Sequence, residues 1–155
     1  VVYLKIFLPL LFSLLSTTTQ DIEKAFLQNN PKIFYSHLSS RSSVNISLPE
    51  PISFSDQLSS QQAYFLFKKI FSSYTTFEFF SESEIPPALD NKSFIFKARW
   101  SFRDNKNDDQ HVLHIFFFLV NEKELRDRAL LSPANQKKGE IKNIWKIIEI
   151  KAEKI

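Results

Sequence analysis

Ser59 to Phe80 reads SSQQAYFLFKKIFSSYTTFEFF, and its change of period midway decides the fold. Ser59 with Gln62 makes a capping-box pattern, in which each side chain answers a free backbone N–H of a first helical turn. Ala63, Leu66, Phe67, Ile70, Phe71 and Tyr74 then recur at i, i+3, i+4, i+7, i+8 and i+11. This spacing predicts a long amphipathic helix of about three turns, with one wide apolar stripe that suits a flat surface. From Thr75 to Glu82 the chain fills with Thr and Phe, residues that fit a pleated, half-buried strand. Phe77, Phe79 and Phe80 break strict alternation, so period alone does not assign the faces of that strand.

Reading back toward the N-terminus, Ser43 to Leu48 alternates, with Val44, Ile46 and Leu48 on one side. Pro49-Glu50-Pro51 interrupts it, and Ile52 to Phe54 is predicted as the returning strand. Asp21 to Asn29 has helical spacing at Ile22, Ala25, Phe26 and Asn29, with acids in the first turn. Asn30-Pro31 reads as an N-cap followed by proline at the first helical position, opening a second short helix through Leu38. Ile33, Phe34 and Leu38 are its expected buried face.

Reading forward, Pro86-Pro87 ends the first strand after the helix. Ser93 to Phe102 alternates: Phe94, Phe96, Ala98, Trp100 and Phe102 face one way, Lys97, Arg99 and Ser101 the other. Arg103 to Gln110 is a polar hairpin loop. His111 to Val120 is apolar on both faces and reads as a central strand covered on both sides. Asn121 to Glu140 is a long polar connection containing the sole glycine, Gly139. Ile141 to Lys151 closes the chain as a strand, with Trp145, Ile147 and Glu149 on one face against Ile144, Ile148 and Ile150. Helices come early and hairpin-linked strands late. The expected fold is α+β: a curved antiparallel sheet wrapped around the long amphipathic helix, plus two short N-terminal helices, a cone.

Val1 to Ser16 is an apolar run interrupted by Lys5 and Pro9. Its Ile6 to Leu15 core has the roughly 7–15 residues of a signal-peptide apolar region, and falls short of the about 20 needed to span a bilayer. The expectation is a signal peptide over residues 1–18 and a single domain over 19–155, exported to the periplasm or beyond, with no membrane span after cleavage. The chain's 155 residues allow one core. One glycine argues against a phosphate-binding loop or a dinucleotide fold, and zero cysteines remove thiolate metal sites, disulfides and cysteine nucleophiles. No cofactor is expected. The formal charge of +3 falls to +2 once Lys5 leaves with the leader, too little to argue for a nucleic-acid partner.

The runs IEKAFLQNNPKIFYSHLS (22–39), VNISL (44–48) and SSQQAYFLFKKIFSSYTTFEFF (59–80), with IWKIIEIKAEK (144–154) at the end, resemble the bacterial domain of unknown function 4783. That family lies within the nuclear transport factor 2-like (cystatin-like) cone-fold superfamily. The resemblance implies the cone fold and an exported domain of unassigned role. The wider superfamily includes isomerases, dehydratases, carrier-type binders and dimerisation modules, so it does not choose a function. This chain departs from the family in its first inter-helix turn, where Asn29-Asn30-Pro31 stands in place of glycine, and in its long 121–140 connection.

No catalytic motif is present. His111 and His114 are three apart on a strand and point to opposite faces, so they cannot chelate one metal. A cavity enzyme of isomerase or dehydratase type needs a base on an apolar wall, where burial raises a carboxylate pKa. Glu78, Glu149 and His114 are the residues to consider, with Tyr35, Tyr64 and Tyr74 as donors. The candidate cavity residues are Tyr64, Trp100, His114 and Glu149. Against catalysis stands the Phe content, which falls at core spacings. The favoured reading is a non-enzymatic module that binds a small apolar ligand or an envelope protein, and that pairs as a homodimer through the sheet around Phe116 to Phe118.

Overall fold

The computed structural model of the chain describes residues 17–84, 93–122 and 145–155. The apolar run at 1–16, expected to be a signal peptide, and the connection beyond Glu122 lie outside the described residues, as do Ile141 and Ile144.

The first helix, α1, covers residues 17–27, and the expected domain boundary at residues 18–19 falls inside it. It ends in a Schellman arrangement: the Asn30 N–H donates to Ala25 O at 2.9 Å and the Asn29 N–H to Phe26 O at 3.2 Å. Asn29 has φ 49°, so asparagine takes the left-handed position that glycine usually fills. Its Oδ1 also accepts the Thr76 N–H at 3.2 Å, which ties the helix end to the sheet.

The second helix, α2 (Lys32–Tyr35), is shorter than expected, and Pro31 sits at its N-cap instead of its first helical position. Asn30 Oδ1 accepts the Lys32 N–H at 3.1 Å. Leu38 leaves the helix to form a parallel bridge with Ile147. The Ile147 N–H donates to His37 O and the Ser39 N–H to Ile147 O, at 2.7 and 3.0 Å. Pairing with the sheet satisfies backbone groups that another helical turn would otherwise use.

Strand β1 (Val44–Leu48) buries alternate residues as its sequence predicts. Strand β2 (Phe54–Leu58) starts later than expected because the turn consumes Ile52 and Ser53. Both of their N–H groups donate to Pro49 O, and Ser53 takes φ 53°. Helix α3 (Ser60–Ser73) has both bonds of the capping box, Gln62 N–H to Ser59 Oγ at 3.2 Å and Ser59 N–H to Gln62 Oε1 at 2.9 Å. It buries Ala63, Phe67, Ile70 and Phe71.

Strands β3 (Tyr74–Glu84), β4 (Ser93–Asp104), β5 (Gln110–Asn121) and β6 (Trp145–Lys154) complete a mixed α+β fold with one six-stranded curved sheet. Its order is β2-β1-β6-β5-β4-β3. The expectation of a wholly antiparallel sheet is corrected: β1 and β6 run parallel, with Asn45 opposite Glu149 and Ser47 opposite Lys151. The cause is topological. From β2 at one edge the chain passes through α3 to β3 at the other, and the antiparallel β3–β6 series returns it beside β1.

Bulges set the faces where alternation failed. Thr76 opposes Phe102 and Glu78 opposes Ser101, leaving Phe77 as an extra residue. Thr76 and Phe79 are therefore both buried although three apart, while Phe77 and Phe80 are exposed. A second shift follows Ser81, and a third lies on β6, where Ile148 is the extra residue between the Phe118–Glu149 and Leu119–Ile147 pairs. Each bulge bends its strand and increases the local twist.

The side of the sheet that the helices cover is filled with aromatic rings. Phe26 of α1 has its ring centroid 4.6–6.1 Å from those of Phe34, Phe67, Phe71, Phe79, Trp100 and Phe117. None of these seven side chains is more than 6% exposed.

Candidate functional site

The structure does not bring Tyr64, Trp100, His114 and Glu149 together. Trp100 is fully buried in the core, and its indole N–H donates to Thr76 Oγ1 at 2.9 Å. Tyr64 lies on the outward side of α3, its ring 5.3 Å from Tyr35, in a hollow shared with Lys32, Gln61 and Phe65. His114 and Glu149 sit on the outer face of the sheet, away from the helices. The expectation that Glu149 shares a face with Trp145 and Ile147 is corrected by the bulge at Ile148, which shifts the alternation by one. Trp145, Ile147, Ile150 and Ala152 point into the core, and Glu149 points out opposite Phe118.

On that outer face His114 Nδ1 lies 2.8 Å from Glu82 Oε2, which also has Lys97 Nζ at 3.5 Å. Glu82 is the residue displaced by the second β3 irregularity, and this offset aims its carboxylate across β4. His111 is on the inner side, its ring 5.5 Å from Phe102, so the two histidines are separated as strand geometry requires. No group of three metal-ligating side chains gathers among the described residues.

The same face corrects the expectation that β5 is covered on both sides. Phe117 is fully buried, but Phe116 and Phe118 are half-buried, with Val112 and Val120 in line on the same strand. Ile95 stands opposite Phe118 on β4, and Lys97 lies over the Phe116 ring at 5.5 Å from its centroid. Phe80 is 41% exposed on β3. Around these rings the charges pair locally: Arg99 with Glu78 at 3.9 Å and Lys151 with Glu153 at 3.0 Å. The result is a near-neutral, ring-bearing surface.

A second feature lies where the 49–53 turn, the end of α3 and the β4–β5 hairpin converge. A cleft of about 360 Å³ is lined by Ile52, Phe54, Leu66 and Ile70, with Lys69, Tyr74, Asp104 and Lys106 among its polar residues. The Tyr74 hydroxyl donates to Pro51 O at 3.4 Å, and its ring packs 5.3 Å from Phe102. Burial raises the Tyr74 phenol above its ordinary value, and the negative charge of Asp104 adds to the shift. The sequence marks Tyr74 as the end of a helical stripe, but not the meeting of three loops around it.

Sequence reasoning also missed a pair on the helical side. His37 is fully buried, with Nε2 2.8 Å from Asp21 Oδ2. Helix α1 and the segment after α2 meet there, sixteen residues apart in sequence.

No protein-family model matches the sequence, and no curated protein matches it. Solved structures do. A DUF4783 family protein from Bacteroides uniformis matches with a TM-score of 0.60 at 12% identity, covering 88% of this chain and 95% of its own. An NTF2-like protein of unknown function in nutrient uptake from Rhodospirillum rubrum matches with a TM-score of 0.57 at 8% identity, covering 90% and 97%. The chain has the NTF2-like fold. A ketosteroid isomerase-like protein from Erwinia carotovora atroseptica matches this chain at a TM-score of 0.57 and 7% identity, covering 90% and 95%. At these identities the shared property is the fold, and function has to come from the residues.

Proposed function

We propose that this NTF2-like chain is a non-enzymatic interaction module, exported after loss of its apolar leader, that pairs with a second copy through the outer face of its sheet. The carrying observation is the contrast between the two faces. The helix-covered face is filled by Phe26 and its six neighbouring rings, whereas the outer face leaves Phe116 and Phe118 half-open beside Ile95. Half-open rings on a central strand mark a surface that gains by being covered. The choice of a second copy follows from charge. A two-fold interface presents one patch to itself, so a patch of one sign would repel. Here Lys97, Arg99 and Lys151 alternate with Glu82, Glu78 and Glu153, and the balance permits self-contact. An isomerase-type reading has less support, because His114 and Glu149, its expected bases, are on the outer face.

Sedimentation of the purified protein over a concentration series tests the pairing. The wild type should shift from monomer to dimer, and Phe118→Lys should stay monomeric with an unchanged circular dichroism spectrum. A wild type that remains monomeric up to its solubility limit contradicts the proposal. Export is tested separately, by fractionating cells and sequencing the N-terminus of the mature chain.

A further inference from the structure

The cleft beside Tyr74 combines an apolar wall with unpaired positive charge. Ile52, Phe54, Leu66 and Ile70 form the wall, and the exposed Lys69 and Lys106 are among its lining residues. Other cations nearby are committed: Arg103 lies 3.7 Å from Asp108 and Lys154 3.2 Å from Glu50. Among the described residues, neither Lys69 nor Lys106 has an ion-pair partner. Asp104, the acid of the cleft, has its Oδ1 engaged by the Lys106 backbone N–H at 2.8 Å.

We propose that this cleft binds a medium-chain aliphatic monocarboxylate, its tail on Ile52, Phe54, Leu66 and Ile70 and its carboxylate between Lys69 and Lys106. The size follows from the volume. At about 360 Å³ the cleft stands at the lower end of the roughly 300–1,000 Å³ typical of small-molecule sites. The single charge follows from the residues: the lining holds two lysines and one aspartate, a formal balance of about +1 that suits one monoanion and disfavours a dianion. Charge-assisted hydrogen bonds from lysine supply orientation, and the wall supplies the apolar contact. The site is at the end of the sheet and does not depend on what covers the outer face.

Octanoate is the probe, titrated into the full chain by calorimetry and by amide nuclear magnetic resonance. The controls are 1-octanol, which has the tail without the charge, and acetate, which has the charge without the tail. Octanoate should shift the amides of Ser53, Ser73 and Lys106, and both controls should bind at least about tenfold more weakly. The Lys69→Gln/Lys106→Gln variant should lose about tenfold or more in octanoate affinity, with an unchanged melting temperature because both side chains are exposed. Three results overturn the proposal: no shift at these amides, octanol binding as tightly as octanoate, or a double variant that binds octanoate like the wild type.

Discussion

Phe26→Ala tests most severely whether the helix-covered side of this sheet is a packed core or a ligand chamber. The Phe26 ring is fully buried and touches rings from both other helices and three strands, so its removal leaves a void that no single element can collapse to fill. Phe→Ala changes in packed cores cost about 3–5 kcal/mol, a sum of lost transfer energy and residual cavity. Against a total stability of about 5–15 kcal/mol this is a large fraction. For a chain of this size it corresponds to a fall of roughly 6–20 °C in melting temperature, at about 2–4 °C per kcal/mol. Urea unfolding reports it, with Trp100 fluorescence as the probe, since its ring centroid is 5.1 Å from that of Phe26. The new void is apolar and should stay dry, so benzene should raise the midpoint of the variant and not of the wild type. A loss below about 1 kcal/mol with an unchanged urea slope refutes the reasoning, because Phe26 would then be lining open space.

Thr76→Val keeps the shape of the side chain but strands the buried Trp100 N–H; urea unfolding should show a loss of about 1–3 kcal/mol, and Trp100→Phe in the same chain should recover part of it. Asn29→Ala forces a β-carbon into the left-handed region without asparagine's local bonding and should cost about 1–2 kcal/mol by the same assay, with Asn29→Gly costing less. Tyr74 is protonated more tightly folded than unfolded, so its contribution to stability is complete below its ordinary value of 10.0 and is lost as pH rises through the higher folded value. Melting temperatures measured from neutral to strongly alkaline pH should therefore fall at the alkaline end, and less steeply in Tyr74→Phe.

The features legible in the sequence are those fixed within a few residues. The Ser59–Gln62 box, the buried Ala63, Phe67, Ile70 and Phe71 of α3, the alternation of β1 and that of β4 from Phe94 to Trp100 each depend on their own segment, and the structure reproduces them. What escaped depends on a partner strand. Whether Glu149 points in or out is decided by how β6 registers against β5, and one extra residue at Ile148 reverses it. Phe77 is likewise ejected by the register of β3 against β4. The parallel β1–β6 pair joins residues about a hundred positions apart, and no local pattern encodes its direction. The Tyr74 cleft and the Asp21–His37 pair were hidden for the same reason: each assembles side chains that only the completed fold makes neighbours. Asn29 is the instructive local case. A turn that lacks glycine still ends α1 in a left-handed residue, because asparagine tolerates that region and bonds across to Thr76.

The measurement that bears most directly on the account is a search for intermolecular nuclear Overhauser effects in a sample mixed from two differently labelled preparations. Pairing through the outer face predicts cross-chain contacts between the Ile95 methyl groups and the rings of Phe116 and Phe118, with none involving Phe26 or Phe67. Cross-chain contacts confined to the helices, or none at concentrations where the protein sediments as a dimer, contradict it.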